Sequence, residues 1–414
     1  MAKKNDRFLA LRFPEFRFLV GASFLFNTAL MMQEVIIGYE MYKITGDPLA
    51  IGLIGLAQAA PFIGLSLIGG HFADILSKKK VIVASLLGII CCSLALHFAA
   101  KELSGGDGSL ALQLIIYAVV FLTGTFLAFY SPTIQALRPF LVPRYAYENA
   151  ATWGSATWQV GVIIGPGISG FIYNWVGFAN TILVAVALMG VALLLWTGVK
   201  DRKIENPESG NAWLKIKEGL RFVKKKKMLL HSITLDLFSV LFGGVVAILP
   251  VFAEDVLHVG AQGLGILRAA PAVGAMFSLL IISNISLMKN AWRTLLLYVA
   301  GFGVATLVFA LSKNFYLSVA ALFLTGAFDA VSMVIRSTIL QLIVPDEMRG
   351  RVSAVNGIFI SASNELGAFE SGLAASLVGA VPSVVLGGVA SLAIVGFVFF
   401  KTKELLGVDL REEV

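Results

Sequence analysis

Twelve apolar runs of about twenty residues, parted by short breaks rich in Gly, Pro or charge, leave this chain few ways to fold. They fall at 17–41, 50–72, 79–100, 110–132, 150–175, 178–199, 229–253, 262–283, 292–312, 315–339, 352–376 and 380–401. Each is close to the roughly 20 residues that a helix needs to cross a hydrocarbon layer of about 30 Å. With 58% hydrophobic and only 14% charged residues, the 414-residue chain holds more apolar surface than one water-soluble core can bury. The reading is an all-α membrane protein with twelve transmembrane helices. The first run is too long for the core of a secretory signal and is followed by further spans, so it counts as a helix of the mature protein.

Charge fixes the expected orientation. Of 32 Lys and Arg, only Lys43, Lys101 and Lys313 fall in the loops of one side, and only Arg268 and Arg336 lie in the interior of spans. The other 27 sit in the loops, termini and adjoining span ends of the opposite side, which the positive-inside rule assigns to the cytoplasm, with both termini there. A net charge of +7 therefore reflects membrane orientation, and no nucleic-acid partner is expected. The longest break, 200–228, is amphipathic and divides the chain into six-helix halves at 1–199 and 229–414. Its basic residues, including Lys224 to Lys227, suit anionic lipid headgroups. Two cysteines, Cys91 and Cys92, are adjacent and cannot staple distant segments, and four scattered histidines make no metal site.

The halves repeat one another. Gly55-Leu-Ala-Gln-Ala-Ala-Pro-Phe-Ile-Gly64 corresponds to Gly265-Ile-Leu-Arg-Ala-Ala-Pro-Ala-Val-Gly274, an offset of 210. Phe121-Leu-Thr-Gly124 corresponds to Phe323-Leu-Thr-Gly326 at an offset of 202, which also pairs Gly165 with Gly367 and Gly170 with Gly372. A longer loop between the third and fourth spans of the first half absorbs the difference. Parallel repeats of this kind are related by an axis along the membrane normal and enclose a site near its midplane.

Two motifs bear on mechanism. The first is the loop Gly70-His-Phe-Ala-Asp74-Ile-Leu-Ser-Lys78-Lys79-Lys80 between the second and third spans. It resembles the signature loop of the major facilitator superfamily, with Ile75 and Ser77 in place of the usual Arg and Gly. Gly70 would admit close helix packing, and Asp74, Lys78 and Lys79 would clamp and release the cytoplasmic side. A merely solvated basic turn is the alternative. The second is the fifth span, with Gly154, Gly161, Gly165-Pro166 and Gly170. Small residues every four positions give a flat packing face, and Pro166 a bend. It resembles the Gly-Pro helix of antiporter members of the superfamily; ordinary helix packing would explain the same residues.

Ionisable residues inside spans are costly and mark function by default. They are Glu34 and Glu40 on the first span, Asp236 on the seventh, Arg268 on the eighth, Asp329 and Arg336 on the tenth, and Glu365 and Glu370 on the eleventh. Seven residues apart, Asp329 and Arg336 share a helix face about 10 Å apart along the axis. Asp236 lies at a depth that permits a pair with Arg336, and such a pair could be structural. Glu365 and Glu370 point in different directions, and Glu40 lies near the outer end of its span.

Leu249-Pro-Val-Phe-Ala253, Gly263-Leu-Gly-Ile266 and the stretch from Gln341 through Val344-Pro-Asp-Glu-Met-Arg-Gly-Arg351 to Gly357 carry a resemblance over the whole chain. It is to the drug and siderophore exporter branch of the superfamily, which includes macrolide efflux proteins. In that family spans one, four, seven and ten line the central cavity; they hold five of the eight buried ionisable residues here. The resemblance implies a secondary transporter of the bacterial inner membrane that exports small amphipathic molecules by alternating access and proton antiport, without a cofactor; a monomer is the default. Competition of proton and substrate for Glu34 or Asp329 would couple the two flows. A lysophospholipid flippase of the same fold is the alternative. No Ser-His arrangement or Walker loop points to an enzyme or an ATP-driven pump.

Overall fold

The computed structural model describes residues 8–103, 109–201, 212–282 and 290–406. Its long helices are α1 (Pro14–Thr45), α2 (Pro48–Ile75), α3 (Lys78–Leu103), α4 (Ser109–Leu137), α5 (Tyr147–Leu195), α6 (Ala212–Lys225), α7 (Lys227–Gly243), α8 (Gly260–Ile282), α9 (Ala291–Leu311), α10 (Phe315–Ile343), α11 (Asp346–Val378) and α12 (Ala380–Lys401). No strand occurs among the described residues. Ten helical segments there are long and apolar enough to cross a membrane.

Two helices depart from the spans expected. The fifth and sixth runs join in α5, whose 49 residues would reach about 73 Å if straight. The helical backbone continues through Pro166 and breaks at Gly177 (φ 76°, ψ 176°), a conformation open to glycine. The seventh run, expected as one helix over 229–253, is discontinuous. α7 stops at Gly243, Gly244 turns to ψ 85°, and a tight turn over Val245–Ile248 and a wide one over Phe252–Val256 follow. Irregular backbone at membrane depth must find partners within the protein. Here the Ser371 hydroxyl donates to the Gly244 carbonyl at 3.0 Å, and the Arg268 guanidinium to the Val246 carbonyl at 3.0 Å.

The chain forms two compact units, Met1–Gly46 with Leu56–Glu208, and Asp47–Gly55 with Ser209–Val414. In the first, Phe16, Leu19 and Phe26 of α1 pack with Ile82, Leu86, Met189 and Trp196. α2 and α4 cross so closely that a methyl at Gly69 would overlap the Ala128 carbonyl, and one at Gly124 the Gln58 carbonyl. In the second unit the core gathers Leu229, Trp292, Leu295, Val331, Ile335 and Val352. α8 and α10 cross by the same device, Gly274 on the Phe323 carbonyl and Gly326 on the Pro271 carbonyl. The amphipathic α6 lies on α11 through Gly219, whose added methyl would come within 2.6 Å of the Arg351 carbonyl, and through a Glu218–Arg351 ion pair. A single residue, Lys226, joins α6 to α7.

Candidate functional site

In the second unit, α7 and α10 bring three of the expected residues together. Arg336 forms an ion pair with Asp236, and its other terminal nitrogen lies 3.5 Å from Asp329. The pairing with Asp329 follows from helix geometry. Side chains of a helix lean toward its N-terminus, so Arg336 reaches back along α10 while also spanning to α7. The pair with Asp236 is nearly buried, with side-chain exposures of 15% and 11%, whereas Asp329 is 49% exposed. One guanidinium thus serves two carboxylates, one held tightly and one loosely, and the formal charge of the set is −1.

Asp236 and Asp329 line a small cavity of about 10 Å³ with Ser239, Val240, Val299, Phe302, Phe328 and Ser332, room for about one water molecule. Sequence reasoning missed Ser239, Phe302, Phe328 and Ser332. Serines and phenylalanines inside apolar runs carry no signal in one sequence, and Phe302 sits on the ninth span, where no charge drew attention.

The other expected residues are dispersed. Arg268 braces the irregular backbone after α7, as described. Glu365 and Glu370 are each half-buried on α11. Glu34 is half-buried on α1 beside the buried Gln33, whose side-chain carbonyl accepts from Ser93 at 3.2 Å. Glu40 accepts a hydrogen bond from Tyr173 of α5, and Lys43 donates to the same Tyr173 hydroxyl at 3.4 Å.

The loop between α2 and α3 is fastened within the first unit. Lys79 donates to the Val199 carbonyl at 2.6 Å and to Thr197 at 3.4 Å, at the end of the chain leaving α5, where a cation meets carbonyls left without helix partners. Ser77 donates to Asp201. Lys78 is fully buried with its ammonium 5.6 Å from the Phe140 ring centroid. The close-packing glycine is Gly69 and not Gly70: among the described residues, a methyl at Gly70 meets nothing within 4 Å. One residue of register along α2 turns a side chain by about 100°, so only one of adjacent glycines can face α4. The side chain of Asp74 lies outside the described residues.

The small-residue face of α5 packs on α1. A methyl at Gly161 would come within 3.1 Å of Asn27, and one at Gly165 within 2.7 Å of the Thr28 carbonyl and 2.8 Å of Met31. Pro166 and Gly170 are buried along the same helix.

The comparisons with known proteins agree with this architecture. Over 387 residues, 93% of the chain, it is 26% identical to the enterobactin exporter of Escherichia coli O1:K1 and covers 89% of that protein. The enterobactin exporter of Citrobacter koseri is 26% identical over the same length. Among solved structures, a POT family transporter in complex with a thioalcohol-conjugated peptide superposes with a TM-score of 0.73 at 10% identity, covering 94% of this chain and 96% of that one. A bacterial homologue of the human lysosomal transporter Spinster gives 0.68 at 16% identity, covering 96% and 97%. These structural likenesses establish the fold. The protein is a multi-pass membrane protein of the bacterial inner membrane, a secondary transporter that exports small molecules and not an enzyme. The model of the transmembrane secretion effector family matches residues 6–409, and the chain belongs to that family, within the major facilitator superfamily.

Proposed function

We propose that the protein exports small amphipathic molecules in exchange for protons, through alternating access of two six-helix halves at 1–199 and 229–414 joined by a cytoplasmic linker at 200–228. Twelve spans follow from the ten segments if α5 is counted as two helices on either side of Gly177 and α11 as a polar span. With twelve spans, the Lys and Arg asymmetry puts both termini in the cytoplasm. The protein works as a monomer in contact with membrane lipid and its small-molecule cargo.

The observation that carries the antiport reading is the shared guanidinium. Arg336 pairs closely with Asp236 while Asp329, 3.5 Å away and half-exposed, is left loosely held. A carboxylate in this position can exchange a proton for a cargo contact without exposing an unpaired charge in the membrane. Glu34 on α1 offers a second acidic group in the other half. The siderophore named for the relatives belongs to the same broad class of small organic cargo.

The test is efflux from proteoliposomes with an imposed pH gradient, using a panel of small amphipathic compounds. The gradient should accelerate efflux of at least one compound in the wild type, and D329N and E34Q should each reduce that acceleration. Gradient-driven efflux unchanged in both variants removes these residues from the coupling.

A further inference from the structure

We propose that the charged foot of α7 and α12 is a discrete site for one anionic phospholipid, its phosphate held among Lys227, His231 and Lys401 and its acyl chains laid along α12. The site is independent of the export reading. It is also a single built position, unlike the diffuse attraction expected of the basic linker. α7 begins at Lys227, and His231, four residues on, shares its face. α12 ends at Lys401. Lys227 and Lys401 both lie near enough to His231 to act on it electrostatically, so three nitrogen-bearing side chains gather from helices remote in sequence. Glu404 is paired with Lys227. Among the described residues Lys401 has no carboxylate partner. Cations brought together repel one another, and an anion between them turns that repulsion into attraction. The platform is fixed from behind. The buried Trp292 indole N–H donates to the buried Thr402 hydroxyl at 2.8 Å, which pins the end of α12 beside Lys401.

The surroundings select a lipid over a free anion. Phe397 and Phe400 of α12 are 57% and 69% exposed, and the Lys403 ammonium lies 5.2 Å from the Phe400 ring centroid. Phe397 and Lys401 are four residues apart, so an exposed ring and an unpaired cation share one face of the helix. Large apolar side chains laid open beside cations at the end of a span match the level where headgroups meet acyl chains. Inorganic phosphate would use the cations and leave the rings bare, whereas a phospholipid uses both. A zwitterionic lipid carries its own ammonium, which the lysines would repel. The occupant is therefore a phosphodiester lipid without an ammonium, such as phosphatidylglycerol.

The experiment is native mass spectrometry of the purified full chain in detergent, titrated with dioctanoyl phosphatidylglycerol, dioctanoyl phosphatidylcholine or inorganic phosphate. The wild type should take up one phosphatidylglycerol per chain in preference to further copies. It should bind phosphatidylcholine at least about tenfold more weakly, and phosphate should not displace the bound lipid. K401Q should weaken phosphatidylglycerol binding about fivefold, the size expected for losing one basic group at a lipid surface. K227Q, which also frees the Glu404 carboxylate, should weaken it further. K313Q removes an exposed lysine from the opposite end of the second unit and should bind like the wild type. Melting temperatures establish that the variants are folded; should K227Q fail to fold, K401Q decides, since its side chain is exposed. Equal affinity for the two lipids, displacement of lipid by phosphate, wild-type affinity in folded K401Q, or a loss in K313Q as large as in K401Q overturns the proposal.

Discussion

Arg336 shows how far a single residue can organise its surroundings. It is nearly buried and holds Asp236 from a second helix with Asp329 alongside, so removing the guanidinium strands two carboxylates. Breaking a buried pair by removing one partner costs about 3–5 kcal/mol. R336Q should therefore lower the melting temperature in detergent markedly, whereas D236N leaves Arg336 beside Asp329 and should cost less. Equal losses in the two variants would show that Asp329 does not hold the guanidinium. Depth along the expected spans 229–253 and 315–339 made the Asp236–Arg336 pair foreseeable, because both residues fall toward the same side of the membrane. The third member of the set was legible only as a shared face: seven residues separate Asp329 from Arg336, and it takes a long side chain leaning toward the helix N-terminus to close the gap. Ser239 and Phe328 were invisible, since their roles depend on which neighbours face them and not on their own chemistry.

Among elements, the two units repeat a crossing of their second and fourth long helices that glycine makes feasible. Gly124 and Gly326, matched by the internal offset, each press on a carbonyl of the partner helix, Gln58 in one unit and Pro271 in the other. The reciprocal contacts differ, Gly69 on Ala128 in one and Gly274 on Phe323 in the other, so the repeat is not a superposable copy. Substituting G326A should overpack the α8–α10 crossing and destabilise by about 1–3 kcal/mol. G64A, where among the described residues a methyl meets nothing within 4 Å, should change the melting temperature little. Helix placement was legible because apolar length dictates it. The break in α7 was not, because Gly244 lies in an unbroken apolar run and the hydrogen bonds that permit the break come from Arg268 and Ser371, distant in sequence. R268A should remove the donor to the Val246 carbonyl and slow efflux of any exported compound, with hydrogen exchange at 244–248 rising; protection unchanged there would mean the break holds itself.

For the whole molecule, the asymmetry of Lys and Arg makes the sharpest claim. A fluorescent reporter fused to the C-terminus should light up in the cytoplasm, while an alkaline phosphatase fused there should stay inactive; the opposite pattern would invert the topology. The duplication and the long polar break put the expected halves at 1–199 and 229–414; the grouping of the start of α2, Asp47–Gly55, with the second unit has no signal in the sequence, because it comes from packing. The linker helix has a consequence of its own. α6 is bolted to α11 at Gly219 and Glu218, and only Lys226 separates it from α7, whose Met228 and Leu229 share a core with Val223 of α6. Asp236 stands nine residues up that helix, about 14 Å along its axis. A shift of α6 along α11 would not be lost in slack chain between Lys225 and Lys227. It would arrive at the foot of the helix that carries the buried carboxylate.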